Sequence, residues 1–260
     1  MDDRNFVTAL ARGLDILRCF DRPGMELTVS EIARRTGLNQ PTAWRLSHTL
    51  VACGFLVQAL HGAGLKIGAP ALTLGYAAME GMSFPAVVLP YMQQITHQTK
   101  ASTTLTVWQA MEMISVQRCD GEVVLLNQPI GGRTLMTSVP SGLAVLAALP
   151  AQARDVIRQQ LHAHRPASWP RRVDRMARAQ QEYDKFGYVI HQAMLEGQYV
   201  GVAVPLIFAE GDDIRAWALS AGGLTTRWTN QRLHEVGEEL RRVKQFLEPA
   251  LAAIPPVLAA

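Results

Sequence analysis

Apolar residues recur between residues 28 and 50 at the three- and four-residue spacings of two short amphipathic helices that share a small core. The apolar set comprises Ile32, Ala33, Leu38, Ala43, Leu46 and Leu50. The polar residues left to face outward are Asn39, Gln40, Thr42, Arg45 and Ser47. Amide, hydroxyl and guanidinium groups on one face suit base edges and phosphates. The pattern therefore predicts a helix-turn-helix whose second helix presents a polar surface.

Capping residues mark the ends of both helices. Thr28 and Glu31 form a T-x-x-E capping box, in which the hydroxyl and the carboxylate each accept a hydrogen bond from a backbone N–H at the helix start. Gly37 supplies the left-handed residue that ends this helix. Asn39 caps the second helix, and Pro41 suits its first turn because no N–H is needed there.

Further periodic segments surround this motif. Residues 6–20 predict a first helix that packs behind it. The inward face of that helix is expected to carry Leu10, Leu14, Leu17 and Phe20. Two extended segments, 55–60 and 65–67, with a turn at 61–64 between them, predict a short two-stranded wing. Residues 71–82 predict a helix that links this domain to a second one.

The rest of the chain alternates between helical and extended patterns. Helices are predicted over residues 86–98, 141–148, 151–162, 171–186 and 230–247. Strands are predicted over residues 103–108, 114–119, 188–190, 199–207 and 214–221. These elements predict an α+β fold. It has a winged helix-turn-helix domain at 1–70, a linker helix at 71–83, and a second domain at 84–260 with an antiparallel sheet flanked by helices.

Charge supports a nucleic-acid partner for the first domain. No carboxylate occurs between Glu31 and Glu80, although the chain as a whole carries only +3. The same window contains the cations Arg34, Arg35, Arg45 and Lys66. Each phosphate that such a cation neutralises releases counterions, so a few cations without nearby acids can carry DNA binding. The alternative is an ordinary solvated helix pair, in which Arg34 and Arg35 lie only on the surface.

Composition limits the class of protein. With 260 residues, 48% of them hydrophobic, the chain is long enough for two globular domains. It has no apolar run of about 20 residues, which a membrane helix requires, and no cationic leader before an apolar core, so we expect a cytoplasmic protein. Cys19, Cys53 and Cys119 are scattered without a C-x-x-C spacing, so we expect small buried hydrophobes and no metal or cofactor.

Several longer segments, in one order along the chain, indicate a family. In the first domain they are ALARGLDILRCF, LTVSEIARRTGLNQPTAWRLSHTLVACGFL and LKIGAPALTLG. In the second they are IGGRTLMTSVPSGLAVLAAL, YDKFGYVI, YVGVAVPLI and WALSAGGLTTR. With these segments the chain resembles the IclR family of bacterial transcriptional regulators. The resemblance implies a GAF-like effector-binding second domain, and a homodimer or homotetramer that binds palindrome-like operators in double-stranded DNA.

The outward residues of the second helix are the expected DNA contacts. Arg45 suits a bidentate pair with guanine, and Gln40 or Asn39 suits adenine or phosphate. We expect Thr42 and Ser47 to bind phosphate, and Pro41 lies among these residues. Asn39 could instead serve only as a helix cap.

A wing and a second copy complete the expected DNA interface. The turn at the wing tip, HGAG, carries no charge apart from His61, so only its backbone and Lys66 could touch phosphate. One helix reads only a few base pairs. Useful specificity therefore needs a second copy about 34 Å away along the duplex.

The resemblance also places an effector cavity in the second domain, beside residues 137–142. The N–H groups of Ser141 and Gly142 begin a helix and could hold a carboxylate, which suits the small organic acids that the family binds. The chain departs from the family pattern at three places. Leu143 replaces the usual lysine, His191 replaces an acidic residue, and the strand around Leu219 lacks hydroxyls that some relatives have.

From these residues we expect a largely apolar cavity that favours an aromatic or otherwise hydrophobic acid. The expected lining is Met136, Thr137, Ser138, Val139, Ser141, His191, Tyr199, Val202, Leu219 and Ala221. The alternative is that the apolar members are core residues and that His191 is an ordinary buried or surface histidine.

The alternatives to a DNA-binding regulator are an enzyme and an interaction module. An enzyme finds little support, because the sequence contains no G-x-S-x-G, G-x-x-x-x-G-K or H-E-x-x-H motif. His162 and His164 lie two residues apart and would project from different faces of a helix, so they predict no metal pair. The other class is an interaction module that keeps this scaffold without binding DNA, and the uncharged wing leaves it open.

Overall fold

The computed structural model describes residues 4–22, 24–60, 62–122, 129–164, 166–194, 197–211 and 213–253, with only the backbone at 192–194 and 213. The chain divides into two units, Met1–Glu80 and Gly81–Ala260. His61, expected at the tip of the wing, lies outside the described residues.

The first unit is a winged helix-turn-helix. Its elements are α1 (Thr8–Arg18), α2 (Val29–Thr36), α3 (Gln40–Ala52), β1 (Leu56–Gln58), β2 (Leu65–Ile67) and α4 (Pro70–Glu80). Strands β1 and β2 pair antiparallel as the wing. The core contains the buried residues Ile16, Leu27, Ile32, Ala33, Ala43, Leu56 and Leu65. The fold predicted from the hydrophobic pattern is confirmed, and α4 belongs to this unit.

The predicted caps are confirmed. The Thr28 hydroxyl accepts a hydrogen bond from the Glu31 N–H at 3.3 Å, and the Glu31 carboxylate accepts one from the Thr28 N–H at 2.8 Å. Gly37 ends α2 with φ of +70°, a conformation that costs glycine little. Asn39 accepts a hydrogen bond from the Thr42 N–H at 2.9 Å, which fixes where α3 begins.

The inward face predicted for α1 is wrong in part. Ile16 is fully buried, whereas Leu10 and Leu14 are exposed and Leu17 and Phe20 are half-buried. Successive residues turn by about 100° around a helix, so the face centred on Ile16 turns the earlier leucines away from the core. The exposed leucines form an apolar surface on α1.

The second unit is an antiparallel sheet with helices on both faces. Its helices are α5 (Phe84–Thr99), α6 (Pro140–Ala148), α7 (Ala151–His164), α8 (Trp169–Phe186) and α9 (Asn230–Ala252). Its strands are β3 (Ser102–Gln109), β4 (Glu112–Cys119), β5 (Arg133–Leu135), β6 (Val189–Met194), β7 (Tyr199–Glu210) and β8 (Asp213–Leu224). The six strands described pair in the order β5-β4-β3-β8-β7-β6. The α+β prediction is confirmed, although β5 was not among the predicted strands.

Alternation along the strands gives the two faces of the sheet different neighbours. Val202 and Leu219 pack into a large core with residues of α5 and α9, such as Val88 and Leu240. On the other face, Tyr199 and neighbouring strand residues pack with residues of α6, α7 and the turn before α6. Because successive strand residues point to opposite faces, a shift of one position moves a side chain between these environments.

Two expectations from composition can be compared with the structure. Cys19 and Cys119 are half-buried, whereas Cys53 is exposed, so the prediction of three buried cysteines fails at the end of α3. Among the described residues, no single helix is long and apolar enough to cross a membrane. Helices α4 and α5 meet that requirement of length and hydropathy only when they are counted together.

Replacing Thr28 with alanine should destabilise the first unit, because the α2 cap loses the hydroxyl that accepts the Glu31 N–H. The expected loss is about 1 kcal/mol of unfolding free energy, measured by chemical denaturation. Thr49→Ala is the control, since that exposed hydroxyl bonds only a carbonyl one turn earlier in α3. Equal stabilities for the two variants would contradict a stabilising role of the capping box.

Candidate DNA-binding face and effector cleft

The outward face of α3 is the first candidate site. Pro41, Trp44, Arg45, His48 and Thr49 are exposed along it. The Trp44 and His48 rings stack with centroids 5.4 Å apart. Arg45 forms no ion pair or side-chain hydrogen bond with any described residue, so its guanidinium is available to an external anion or base. Trp44 and His48 are not among the outward residues predicted from the sequence, although they lie on the same helical face.

Ser47 does not belong to this face, although the sequence analysis placed it there. It is 1% exposed, and its hydroxyl has no hydrogen-bond partner in the described part of the chain. Ser47 lies one turn after the buried Ala43 and therefore shares its inward face. A side chain buried in this position cannot reach a phosphate.

The remaining polar residues at the start of α3 have partners within the unit. Asn39 caps the helix, as its alternative interpretation held, and Thr42 supplies the N–H for that cap. Gln40 donates a hydrogen bond from Nε2 to the Ser30 hydroxyl at 2.9 Å. This bond holds the Gln40 side chain against α2 and leaves its Oε1 as an acceptor.

The segment between Glu31 and Glu80 contains no carboxylate, but carboxylates from outside it lie close to two of its cations in the folded chain. Lys66 lies 2.7 Å from the Glu26 carboxylate, so much of its charge is already balanced. Arg35 donates a hydrogen bond to the Cys19 carbonyl at 3.1 Å and has an Asp21 carboxylate oxygen 3.9 Å away. Arg34 is exposed and makes no ion pair within the described ranges. Among the four cations of this segment, Arg34 and Arg45 are therefore the least engaged by the described residues.

The second candidate site is a cleft on the sheet face that carries α6, here called the α6 cleft. Its free volume is about 40 Å³, and the roughly 560 Å³ of unoccupied space around it includes open solvent. Its lining comprises Ser102, Thr104, Thr106, Met113, Ser115, Arg118, Thr134, Val139, Pro140, Ser141, Tyr199, Gly201, Ser220, Ala221 and Gly222. Hydroxyl groups are the commonest side-chain feature of this set, which differs from the apolar cavity expected from sequence.

Charge in the α6 cleft comes from Arg118, which the sequence analysis missed. Its guanidinium is held by the carboxylate of Asp120. Burial raises the pKa of Tyr199 to about 12, so the phenol remains neutral at physiological pH. Pro140 begins α6 without an N–H, and the first backbone donors of that helix are therefore at Ser141 and Gly142. The cleft thus offers an anion a helix N-terminus and a guanidinium whose charge Asp120 partly balances.

Of the expected effector-binding residues, Val139, Ser141 and Tyr199 line the α6 cleft. Ala221 borders the cleft, although it has the same strand parity as Leu219 and packs into the core on the opposite face of the sheet. Met136 and Thr137 are buried beneath it, and Ser138 is exposed outside it. Val202 and Leu219 pack against α5 and α9 on the opposite face of the sheet. The prediction for Leu219 on β8 is wrong, because Ser220, one position later, is the residue that faces the cleft.

His191 lies in a separate cavity on the same side of the sheet, beside α8. Leu143, Arg175, Arg178, Ala179, Glu182, Ile190 and His191 line this cavity. Burial, helped by the nearby Arg175 and Arg178, lowers the pKa of His191 to about 4. Arg175 also donates a hydrogen bond to the Thr137 carbonyl at 2.9 Å, which ties α8 to the turn before α6. The structure therefore separates His191 from the other expected effector residues.

Within the described ranges, no three His, Cys, Asp or Glu side chains come close enough together to hold a metal ion.

Comparison with known proteins places these sites in context. A model of the IclR helix-turn-helix domain matches residues 9–59. The HTH-type transcriptional regulator TsaQ1/TsaQ2 of Comamonas testosteroni is 27% identical over 256 residues, which are 97% of this chain and 91% of that protein.

Solved structures extend the similarity to both units. An IclR family transcriptional regulator from Brucella abortus aligns with 30% identity and a TM-score of 0.85, over 96% of this chain and 94% of that one. An IclR homolog from Microbacterium hydrocarbonoxydans, crystallised with 4-hydroxybenzoate, aligns with 25% identity and a TM-score of 0.68. That alignment covers 95% of this chain and 100% of the other.

The low pKa of His191 predicts a loss of stability in acid. Between pH 6.5, the ordinary value for histidine, and about pH 4, the unfolded chain binds a proton at this site that the folded chain does not. Unfolding free energy should therefore fall by up to about 3 kcal/mol across this window. His191→Gln should lose that part of the pH dependence in denaturation measurements at several pH values. Identical profiles would show that His191 is not held neutral by burial.

Proposed function

This chain belongs to the IclR family of DNA-binding transcriptional regulators, and from that membership we propose how it reads DNA and what controls it. It binds a palindrome-like operator as a dimer, through α3, and responds to a small organic acid bound in the α6 cleft. The observation that carries this proposal is Arg45, an exposed guanidinium that no described residue pairs with, on a helix whose start is fixed by a cap.

The DNA contacts follow from the exposed face of α3. Arg45 pairs with guanine in the major groove, since a guanidinium matches its two acceptors bidentately. Trp44 and His48 extend the same face and contact the duplex beside it. Arg34 contacts the phosphate backbone, whereas Lys66 contributes little because Glu26 balances its charge.

Apolar surface in the first unit supports the dimer. Helix α4 has no buried residue, and its Leu72 and Tyr76 are 76% and 62% exposed. Leu10 and Leu14 add exposed apolar surface on α1. Exposed apolar residues on a helix that buries none of its own indicate an interface, and a second copy of the chain covers them. Two-fold symmetry then sets two α3 helices on half-sites about 34 Å apart. A tetramer would join two such dimers.

A small organic acid fits the α6 cleft by charge. Its carboxylate is held by Arg118 and by the N–H groups of Ser141 and Gly142. The relative crystallised with 4-hydroxybenzoate supports an acid of this size, and it also favours an aromatic acid as a second candidate. We propose no catalytic role, since the named relatives are regulators.

Control requires the acid to bind one arrangement of the dimer more tightly than another. Helix α4 is the segment through which such a difference would reach the operator, because it follows the wing and precedes the second unit. A shift of a few ångströms between the two α3 helices would cost contacts at one half-site.

Replacing Arg45 with alanine should weaken specific DNA binding by about 5- to 150-fold, the cost of one good base contact. The duplex is first selected from a random library with the wild-type chain, and affinities are measured by fluorescence anisotropy at several salt concentrations. Arg18→Ala is the matched control, because Arg18 pairs with Asp15 on α1, away from this face.

Two results would count against this role of Arg45 or against DNA binding itself. Undiminished selectivity in the Arg45→Ala variant would exclude the base contact. Failure of the wild-type chain to bind any duplex at low salt would favour an interaction module on the same scaffold.

Leu72→Glu should dissociate the dimer, because a carboxylate at the centre of an apolar interface would lose its hydration. The expected result in sedimentation velocity is a shift towards monomer, accompanied by weaker operator binding. Val156→Glu, which places the same charge at an exposed apolar residue of α7, is the control. A dimer that persists in the Leu72→Glu variant would assign the self-contact to another surface.

A further inference from the structure

The α6 cleft carries an unusual number of hydroxyl groups for a site that receives an apolar ligand. Alternate residues of β3 present Ser102, Thr104 and Thr106 to it. Further hydroxyls come from neighbouring strands and from α6, namely Ser115, Thr134, Ser141 and Ser220. The antiparallel register explains the alignment, since Thr104 lies directly opposite Ser220 on β8. One face of the sheet is thus a row of short polar side chains.

Three of these hydroxyls have no side-chain hydrogen bond within the described part of the protein. Ser115 and Ser141 are each only 4% exposed, and Thr104 is half-buried. By contrast, Ser220 donates to the Thr104 carbonyl at 3.2 Å, and Ser102 accepts the Gly121 N–H at 3.1 Å. None of these three oxygens is among the fully buried, unpartnered side-chain atoms of the described residues, so they are open to the space of the cleft. Ser115, Ser141 and Thr104 can therefore form hydrogen bonds with whatever the cleft contains.

Charge and hydroxyls together define the ligand chemistry. Arg118 and the start of α6 receive an acid group, as proposed above, and the rest of the molecule then lies against the hydroxyl row. A hydrocarbon ring there would leave buried hydroxyls unpaired, which is costly. Hydroxyl groups on the ligand would pair with them as both donors and acceptors. Met113, Val139 and Pro140 supply only a limited apolar wall for the ligand's carbon atoms.

We propose that the α6 cleft selects a small aliphatic acid bearing several hydroxyl groups over an aromatic hydrocarbon acid of the same charge. Ser115, Ser141 and Thr104 determine this specificity by hydrogen bonding to the ligand's hydroxyls. The inference rests on the proposed function, because it assumes that the cleft is the effector site.

The first experiment compares acids of equal charge by titration calorimetry on the full chain. The hydroxylated probes are sodium threonate and sodium gluconate, and the matched apolar probes are butyrate, hexanoate and benzoate. At least one hydroxylated acid should bind about tenfold or more tighter than every apolar probe, the combined effect expected of two or three additional hydrogen bonds.

The second experiment tests which residues carry the preference. Ser115→Ala and Thr104→Val each remove a hydroxyl with little change in volume, and each should weaken the tightest hydroxylated probe by about 3- to 10-fold. The same variants should bind benzoate equally well or more tightly. Ser83→Ala, an exposed serine outside the cleft, should leave all affinities unchanged. Thermal unfolding checks that each variant folds, and the two variants report independently.

The outcomes separate this inference from the function on which it rests. Benzoate or hexanoate binding more tightly than both hydroxylated acids would overturn the inference and leave an acid-controlled regulator intact. Unchanged affinity in both hydroxyl variants would also overturn it. Failure of every probe to bind at millimolar concentration would overturn the inference together with the effector part of the proposed function, while DNA binding would remain testable through Arg45.

Discussion

The antiparallel pairing of β7 with β8 is the constraint on which the second unit depends. The two strands run together from Tyr199↔Leu224 to Glu210↔Asp213 without a break in register. This long pairing fixes which residues face α5 and α9 and which face α6. The first face is almost wholly apolar and forms the large core, whereas the second carries small and polar side chains where the cleft opens. The large apolar core and the α6 cleft therefore lie on opposite faces of one sheet.

Sequence reasoning predicted the elements well and the directions of side chains less well. Caps and turn residues such as Thr28 and Gly37 are local signals, because the groups that they satisfy lie within one turn of the helix. The wing strand at Leu65–Ile67 and the start of β7 at Tyr199 were also placed correctly from alternation and turn residues. Strand β5 has only three residues and no distinctive composition, so the sequence pattern does not predict it.

The errors in the candidate sites have a common physical origin. Leu219 was assigned to the cavity and Ser220 was not, because a strand pattern does not reveal which face meets which helix. Lys66 was predicted to be available to DNA because no carboxylate lies near it in the sequence. Its ion-pair partner Glu26 comes from outside the acid-free segment and meets Lys66 only in the folded chain. Arg118 was overlooked for the same reason, since its neighbours in the cleft come from β3, β8 and α6. Such contacts depend on the pairing of residues that are far apart in the chain, and a local sequence pattern does not reveal that pairing.

The close approach of α6 to the turn before it has a mechanical consequence. A Cβ at Gly142 would lie 2.3 Å from the backbone of Met136, so this contact leaves no room for any larger residue. The Met136 N–H in turn donates to the Met111 carbonyl at 3.0 Å, in the hairpin between β3 and β4. Met136 thereby connects the start of α6 directly to the hairpin. A ligand that displaces Ser141 would consequently also displace the hairpin at the end of the sheet, because no flexible loop separates the two.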